Sequence, residues 1–179
     1  ALDLSLSSTY FNRSVTSSDD SVATATVITG AAEQSGSVAV ERLASKSAWL
    51  ATGMSAKESL VNAREGLFRY SVGGKDVSVT VPAATQLSDL ADLINNDTNN
   101  AGVTAKVVDT GSGTDRYQLM LQADVTGSAN MISIAEVPDL MAMQRQEPNA
   151  EALDAKLVVD NVTYYRGSNS VDDVMPGVT

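Results

Sequence analysis

The sequence predicts a mainly β fold of the α+β class with one or two short helices, and three observations lead there. Apolar and polar residues alternate in several short runs, most clearly Val77, Val79 and Val81 against Asp76, Ser78 and Thr80. Turn residues punctuate those runs, as Gly73-Gly74 and the loop Thr110-Gly111-Ser112-Gly113 do. Only Leu87, Leu90, Ala91 and Ile94 recur at i, i+3, i+4, i+7, so one short helix turns a single stripe inward.

Taken in order, residues 2–20 mix slight alternation with a Ser/Thr/Asp cluster, and residues 1–18 read as a lead-in segment and linker. Val22 to Ile28, rich in Thr and Val, predicts a strand, and Ser37 to Arg42 a second one with Val38 and Val40 on its dry side. Residues 30–36 join them as a hairpin. Ser55 to Asn62 is compatible with a short helix or with irregular chain. Leu67 to Val72 and Asp76 to Val81 flank Gly73-Gly74, a dipeptide that supplies the positive φ of a tight turn.

Pro82 ends that strand, and Thr85 is the candidate cap of the helix. Asp89 and Asp92 lie toward the positive end of its dipole, and Asn95, Asn96 and Asp97 stop it after about three turns. Val103, Ala105 and Val107 then pair with Tyr117, Leu119 and Leu121 across the Gly-rich loop as a hairpin. Met131 to Val137 predicts a further strand ending at Pro138, and Asp139 to Leu153 a connection. Asp154 to Tyr165 reads as two short strands turning near Asp160-Asn161, and Ser170 to Val174 as a helical turn. Leu87-Ser88-Asp89-Leu90 against Val171-Asp172-Asp173-Val174 is a faint internal echo.

At 179 residues the chain can bury a real core. Its net charge of −10 argues against nucleic acid and against an anionic membrane surface, because nothing here neutralises phosphate. The acidity is spread along the chain and serves solubility. With no cysteine and no histidine, disulfides, thiol nucleophiles and histidine-dependent triads are excluded. No run approaches the roughly 18 apolar residues of a membrane helix. Starting at Ala1 and stopping at Thr179 in mid-pattern, the chain reads as a piece of something longer.

Few residues suggest chemistry. Val107-Val108-Asp109-Thr110-Gly111-Ser112 matches the active-site string of aspartic proteases, whose catalysis requires two carboxylates about 3 Å apart sharing a proton. One copy supplies half, so a protease through Asp109 would need a homodimer, and the plain reading is a polar hairpin turn. Gly111 and Gly113 lack the third glycine and the following helix of a dinucleotide loop. Asp19-Asp20, Asp172-Asp173 and the trio Asp89, Asp92 and Asp97 lack the EF-hand spacing and read as helix-start or turn carboxylates. The glycosylation triplets at Asn12, Asn96 and Asn161 read as accidents of an Asn/Ser/Thr-rich chain. Trp49, the single tryptophan, reads as core filling before ligand platform. No catalytic, cofactor-binding or metal-binding residue is assigned, no cofactor is expected, and the chain is not expected to be an enzyme.

Leu87, Leu90, Ile94-Asn95, then Gly102-Val103-Thr104-Ala105 with Val107-Val108, then Arg116, Leu119 and Thr126-Gly127 resemble the short repeat of flagellar hook-associated proteins and flagellins, with the arginine displaced by one position. Ser17 to Gly53 is similar to the segment opening the head of the flagellar filament-capping family, also called hook-associated protein 2, through Ser18, Asp19, Ala25, Gly36, Val38, Val40, Leu43, Ala44 and Gly53. Asp154 to Thr179 resembles the close of that head, with Asn161 replacing the usual turn glycine.

The resemblance implies two small β-rich domains, one inserted in the other: residues 19–53 with 153–179 as the first head domain, and 54–152 inserted, carrying the repeat. It implies a structural cap at the distal tip of the bacterial flagellar filament, outside the cell and exported by the flagellar secretion system. Such a cap prevents flagellin leakage and promotes flagellin polymerisation, with flagellin and further copies of itself in a ring as partners. An adhesive head binding host mucin or glycans is the alternative role. The family's long terminal leg helices are absent, so the piece by itself is expected to be monomeric or weakly associated.

Overall fold

The computed structural model describes residues 13–179. In chain order its strands are β1 (Val38–Arg42), β2 (Lys46–Ala51), β3 (Gly66–Val72), β4 (Lys75–Val81), β5 (Val103–Asp109), β6 (Tyr117–Thr126), β7 (Ser133–Glu136), β8 (Met143–Arg145), β9 (Ala155–Val159) and β10 (Val162–Arg166). The helix α1 (Leu87–Asn95) lies between β4 and β5, and Ser128–Asn130 and Glu151–Leu153 are single 3-10 turns. The fold is therefore mainly β. Among the described residues no helix is long and apolar enough to cross a membrane.

Contacts divide the chain into two units, one of Ser45–Asp154 and one that adds Ala155–Thr179 to the residues up to Ala44. The larger unit holds two sheets, in the orders β5-β6-β2-β8 and β4-β3-β7. Gly73 and Gly74 take φ of 58° and 76°, the pair of positive values a two-residue hairpin turn needs, and β3 and β4 pair in register from Val72↔Lys75 to Gly66↔Val81. Phe68, Tyr70 and Val72 on one strand and Val77, Val79 and Val81 on the other are buried, the dry face that the alternation predicts. Leu87, Leu90, Ala91 and Ile94 are the buried stripe of α1 and join the same core as Val103, Ala105, Leu119 and Leu121 of the β5-β6 hairpin.

Thr85 does not cap the helix. Gln86 occupies the N-cap position without a side-chain bond, and the Thr85 hydroxyl instead donates to Pro82 O at 2.7 Å. The buried Asn62 holds this corner: its Nδ2 donates to the carbonyls of Arg64, Val81 and Pro82, and its Oδ1 accepts the Thr85 N–H at 3.0 Å. At the other end Asn95 bonds Ala105 through both side-chain atoms, and Asn100 bridges Ile94 O to Val103. Asn95 at the end of the helix and Asn100 beyond it thus fasten α1 to β5.

Two segments differ from expectation. Of residues 19–53 and 153–179, expected as the first head domain, residues 45–53 and 153–154 fall in the larger unit, where β2 pairs with β6 on one side and β8 on the other. The stretch 139–153, expected as a connection, contains β8, three residues that finish that sheet. Residues 55–62 are irregular, with Leu60 bridging Gln86.

In the smaller unit β9 is central, with β1 and β10 antiparallel on either side. Asp160 and Asn161 take φ of 48° and 67°, so the turn between β9 and β10 is built by the two residue types that tolerate left-handed backbone best after glycine. The core is small: Ala44, Ala155, Leu157 and Val159 are buried, with Tyr164, Val171, Val174 and Met175 packed half-buried on them. Val38 and Val40 are on the same face as Val159 and Leu157 by register, yet lie exposed.

The hairpin expected between residues 22–28 and 37–42 is not formed. Residues 22–28 contribute one bridge, Val27↔Val178, flanked by Thr26 N–H to Thr179 O at 2.7 Å and Ile28 N–H to Gly177 O at 3.0 Å. The expected helical turn at 170–174 is absent as well; those residues form an irregular return held by Arg166 on Asp173 at 2.8 Å. The internal echo therefore carries no shared structure. Of the lead-in segment, residues 1–12 lie outside the described residues.

Candidate functional site

Asp109 is the last residue of β5 and starts the loop to β6. Its Oδ1 accepts the Gly111 N–H at 2.8 Å, an Asx turn, and its Oδ2 accepts Arg116 Nη2 at 2.6 Å. The Gly111 N–H and the Arg116 guanidinium together hold its carboxyl below the usual value. A protease dyad needs a second carboxylate about 3 Å away sharing one proton, whereas the charged partner of Asp109 is the Arg116 guanidinium. The string Asp109-Thr110-Gly111-Ser112 thus serves as turn chemistry: Thr110 N–H bonds Arg116 O at 2.9 Å, and Gly111 and Gly113 supply positive φ.

Of the other acidic candidates, Asp89 and Asp92 sit on α1, and Asp19 and Asp97 sit in local turns. Asp19 Oδ1 accepts the Ser21 hydroxyl and N–H, which lower its carboxyl below the ordinary value, and Arg166 does the same for Asp173. Asp97 accepts the Asn99 N–H at 2.8 Å. Asp89, Asp92 and Asp97 line a surface groove of about 770 Å³ with Val79, Pro82 and Leu93. Among the described residues no group of three or more acidic side chains is placed to hold a metal ion. Of the glycosylation triplets, Asn161 occupies the β9-β10 turn, Asn96 follows α1, and Asn12 is outside the described residues.

Trp49 is half-buried on β2. Its Nε1 donates to Ile132 O at 3.0 Å and the Arg145 guanidinium lies 5.5 Å over the ring, so it packs against the core as expected and pins β7's approach. What the sequence did not single out is surface. On the smaller unit Val22, Ile28, Leu43, Val38 and Val162 are exposed apolar side chains, and on the larger unit Leu60 and Leu140 are, brought together by Leu140 N–H to Val61 O at 3.0 Å.

The chain is mainly β, its larger unit is built on strand, helix and hairpin, and the carboxylates of Asp19, Asp97 and Asp109 serve local turns. Residues 68–125, from β3 into β6, match the family described as the flagellin hook IN motif, and residues 1–47 match the N-terminus of flagellar hook-associated protein 2. A curated relative, flagellar hook-associated protein 2 of Campylobacter jejuni, is 28% identical over 202 residues, covering 90% of this chain and 31% of the relative. The chain is thus similar to the flagellar hook-associated protein 2 and hook IN motif families in two separate stretches, residues 1–47 and 68–125, and to one curated hook-associated protein 2 along most of its length.

Solved structures share the fold. The D2-D3 domains of the flagellar cap protein FliD from Serratia marcescens superpose with a TM-score of 0.65 at 25% identity, covering 87% of this chain and 88% of that one. Those of Escherichia coli give 0.71 at 20% identity, covering 87% and 85%. This chain spans about a third of the curated relative's length.

Proposed function

We propose that this chain is the head portion of a cap at the distal tip of the bacterial flagellar filament, outside the cell, and that the cap retains flagellin and promotes its polymerisation. The reading is supported above all by two family matches in one chain, the hook-associated protein 2 N-terminus and the hook IN motif, at the places where the fold puts β1 and the β3-to-β6 core. Its partners in this reading are flagellin and further copies of the parent protein. Work of this kind requires exposed apolar and polar surface on a rigid body, and no reactive atom; the apolar groups on both units are suited to it.

The test is deletion of the parent gene. Loss of filaments with monomeric flagellin accumulating in the medium is the expected result. Filaments of normal length and number without the gene would overturn the proposal.

A further inference from the structure

The two units are unequal in a way that orders their folding. The larger is one continuous segment, and its core gathers buried residues from β3, β4, α1, β5 and β6, all within that segment. The smaller is assembled from two segments, and its buried core is Ala44 plus three residues of β9. Among the described residues the first segment contributes a single strand, β1, which pairs with β9, and the second contributes a two-stranded hairpin with Val171, Val174 and Met175 packed on it, which is marginal in water until β1 and Ala44 are added.

The contacts that close the smaller unit are remote in sequence. The Asp160 carboxylate accepts the Ser37 N–H across 123 residues, and Asn169 accepts the Ala44 N–H and donates to Ala44 O across 125. The larger unit, once folded, removes most of that separation. Ser45 N–H bonds Leu153 O at 2.9 Å and Gly127 N–H bonds Ser45 O at 3.0 Å, so the points where the chain enters and leaves this unit are clasped together.

We propose that this clasp is a conformational device: the larger unit folds on its own, and the smaller unit's sheet, with the apolar surface it displays, exists only while the larger unit is folded. Between Ser37 and Asp160 the loop to be closed shrinks from 123 residues to roughly fifteen, which changes the closure equilibrium by about twenty-fold. A unit whose buried core cluster, among the described residues, holds four side chains has little margin to absorb that loss. The dependence is one-sided, since the larger unit borrows no strand from the smaller.

Amide hydrogen exchange of the intact chain through a urea series tests this, with Trp49 emission as a second report on the larger unit. Amides of β9 and β10 are expected to lose protection at or below the urea concentration at which β5 and β6 open. Leu157→Ala is expected to strip protection from β1, β9 and β10 while leaving β5, β6 and Trp49 emission unchanged. Leu121→Ala, in the larger core, is expected to lower protection in both units, the smaller by twenty-fold or more wherever the larger is open. Protection of β9 and β10 that outlasts the opening of β5 and β6 overturns the proposal. So does a Leu157→Ala chain in which both units lose protection equally.

Discussion

Gly53 precedes the bridge Met54↔Tyr117, and a methyl group added there meets backbone. An ideal Cβ at this position falls 2.0 Å from Asp115 O and 3.1 Å from Asp115 C. A carbon atom needs more than 3 Å from a carbonyl oxygen, so in Gly53→Ala either the loop before β6 or the chain after β2 must move by about 1 Å. That motion strains the two reciprocal hydrogen bonds between Met54 and Tyr117, at 2.8 and 3.0 Å. Losing both removes about 2 kcal/mol, and overpacking against backbone adds about 1–3 kcal/mol. The expected destabilisation is therefore about 3–5 kcal/mol, read as a lower urea midpoint followed by Trp49 emission, with the slope unchanged. Gly66→Ala is the matched control. Nothing lies within 4 Å of its added Cβ and its φ is ordinary, so the change is expected to be neutral or to stabilise by about 0.4–1 kcal/mol. A Gly53→Ala chain that loses less than about 1 kcal/mol with its fold intact would refute the close-approach reasoning.

Asn62→Leu removes a buried side chain that satisfies three carbonyls and one N–H, and is expected to cost about 2–4 kcal/mol in the same urea experiment. Leu90→Ala, at the fully buried centre of the α1 stripe, is expected to cost about 2–5 kcal/mol by calorimetry or urea. The Asp109 carboxyl is held below its ordinary value of 3.8, so the charged form is favoured by the fold; its contribution is complete above the unfolded value and disappears as pH falls through the lower, folded one. The difference in Tm between the native chain and Asp109→Asn is accordingly expected to be constant from pH 7 to about 5 and to close below about 3.8. A difference that grows on acidification would contradict that sign.

Local signals made much of this fold legible. The β3-β4 and β9-β10 hairpins are each written in two alternating runs around two turn residues, and the α1 stripe in four apolar positions, because their partners are neighbours in sequence. What stayed hidden depends on remote partners. Residues 22–28 have the composition of a strand, but the one bridge they form is with Val178, at the far end of the chain. The run Ser47-Ala48-Trp49-Leu50-Ala51 does not alternate, since β2 lies between β6 and β8, and β8 is too short to show a period at all. Gly53 and Ala44 both stand in the motif that suggested the first head domain, yet the division falls at Ala44 because pairing, which the motif does not encode, takes β2 to the larger unit. The site reading was limited differently: the sequence reads Asp109 as part of a polar hairpin turn despite its protease-like string, and the Arg116 contact shows what its charge is for. The exposed apolar groups left no pattern, because Ile28, Leu43 and Val162 resemble core residues until their neighbours are known.

The most direct measurement is complementation of a strain lacking the parent gene, scoring filament length and monomeric flagellin in the medium. The full-length gene carrying Asp109→Ala is expected to restore filaments as the native gene does, because the work lies in surfaces. Unaltered filaments in the uncomplemented strain, or failure of Asp109→Ala to restore them at normal protein levels and normal fold, would contradict the account.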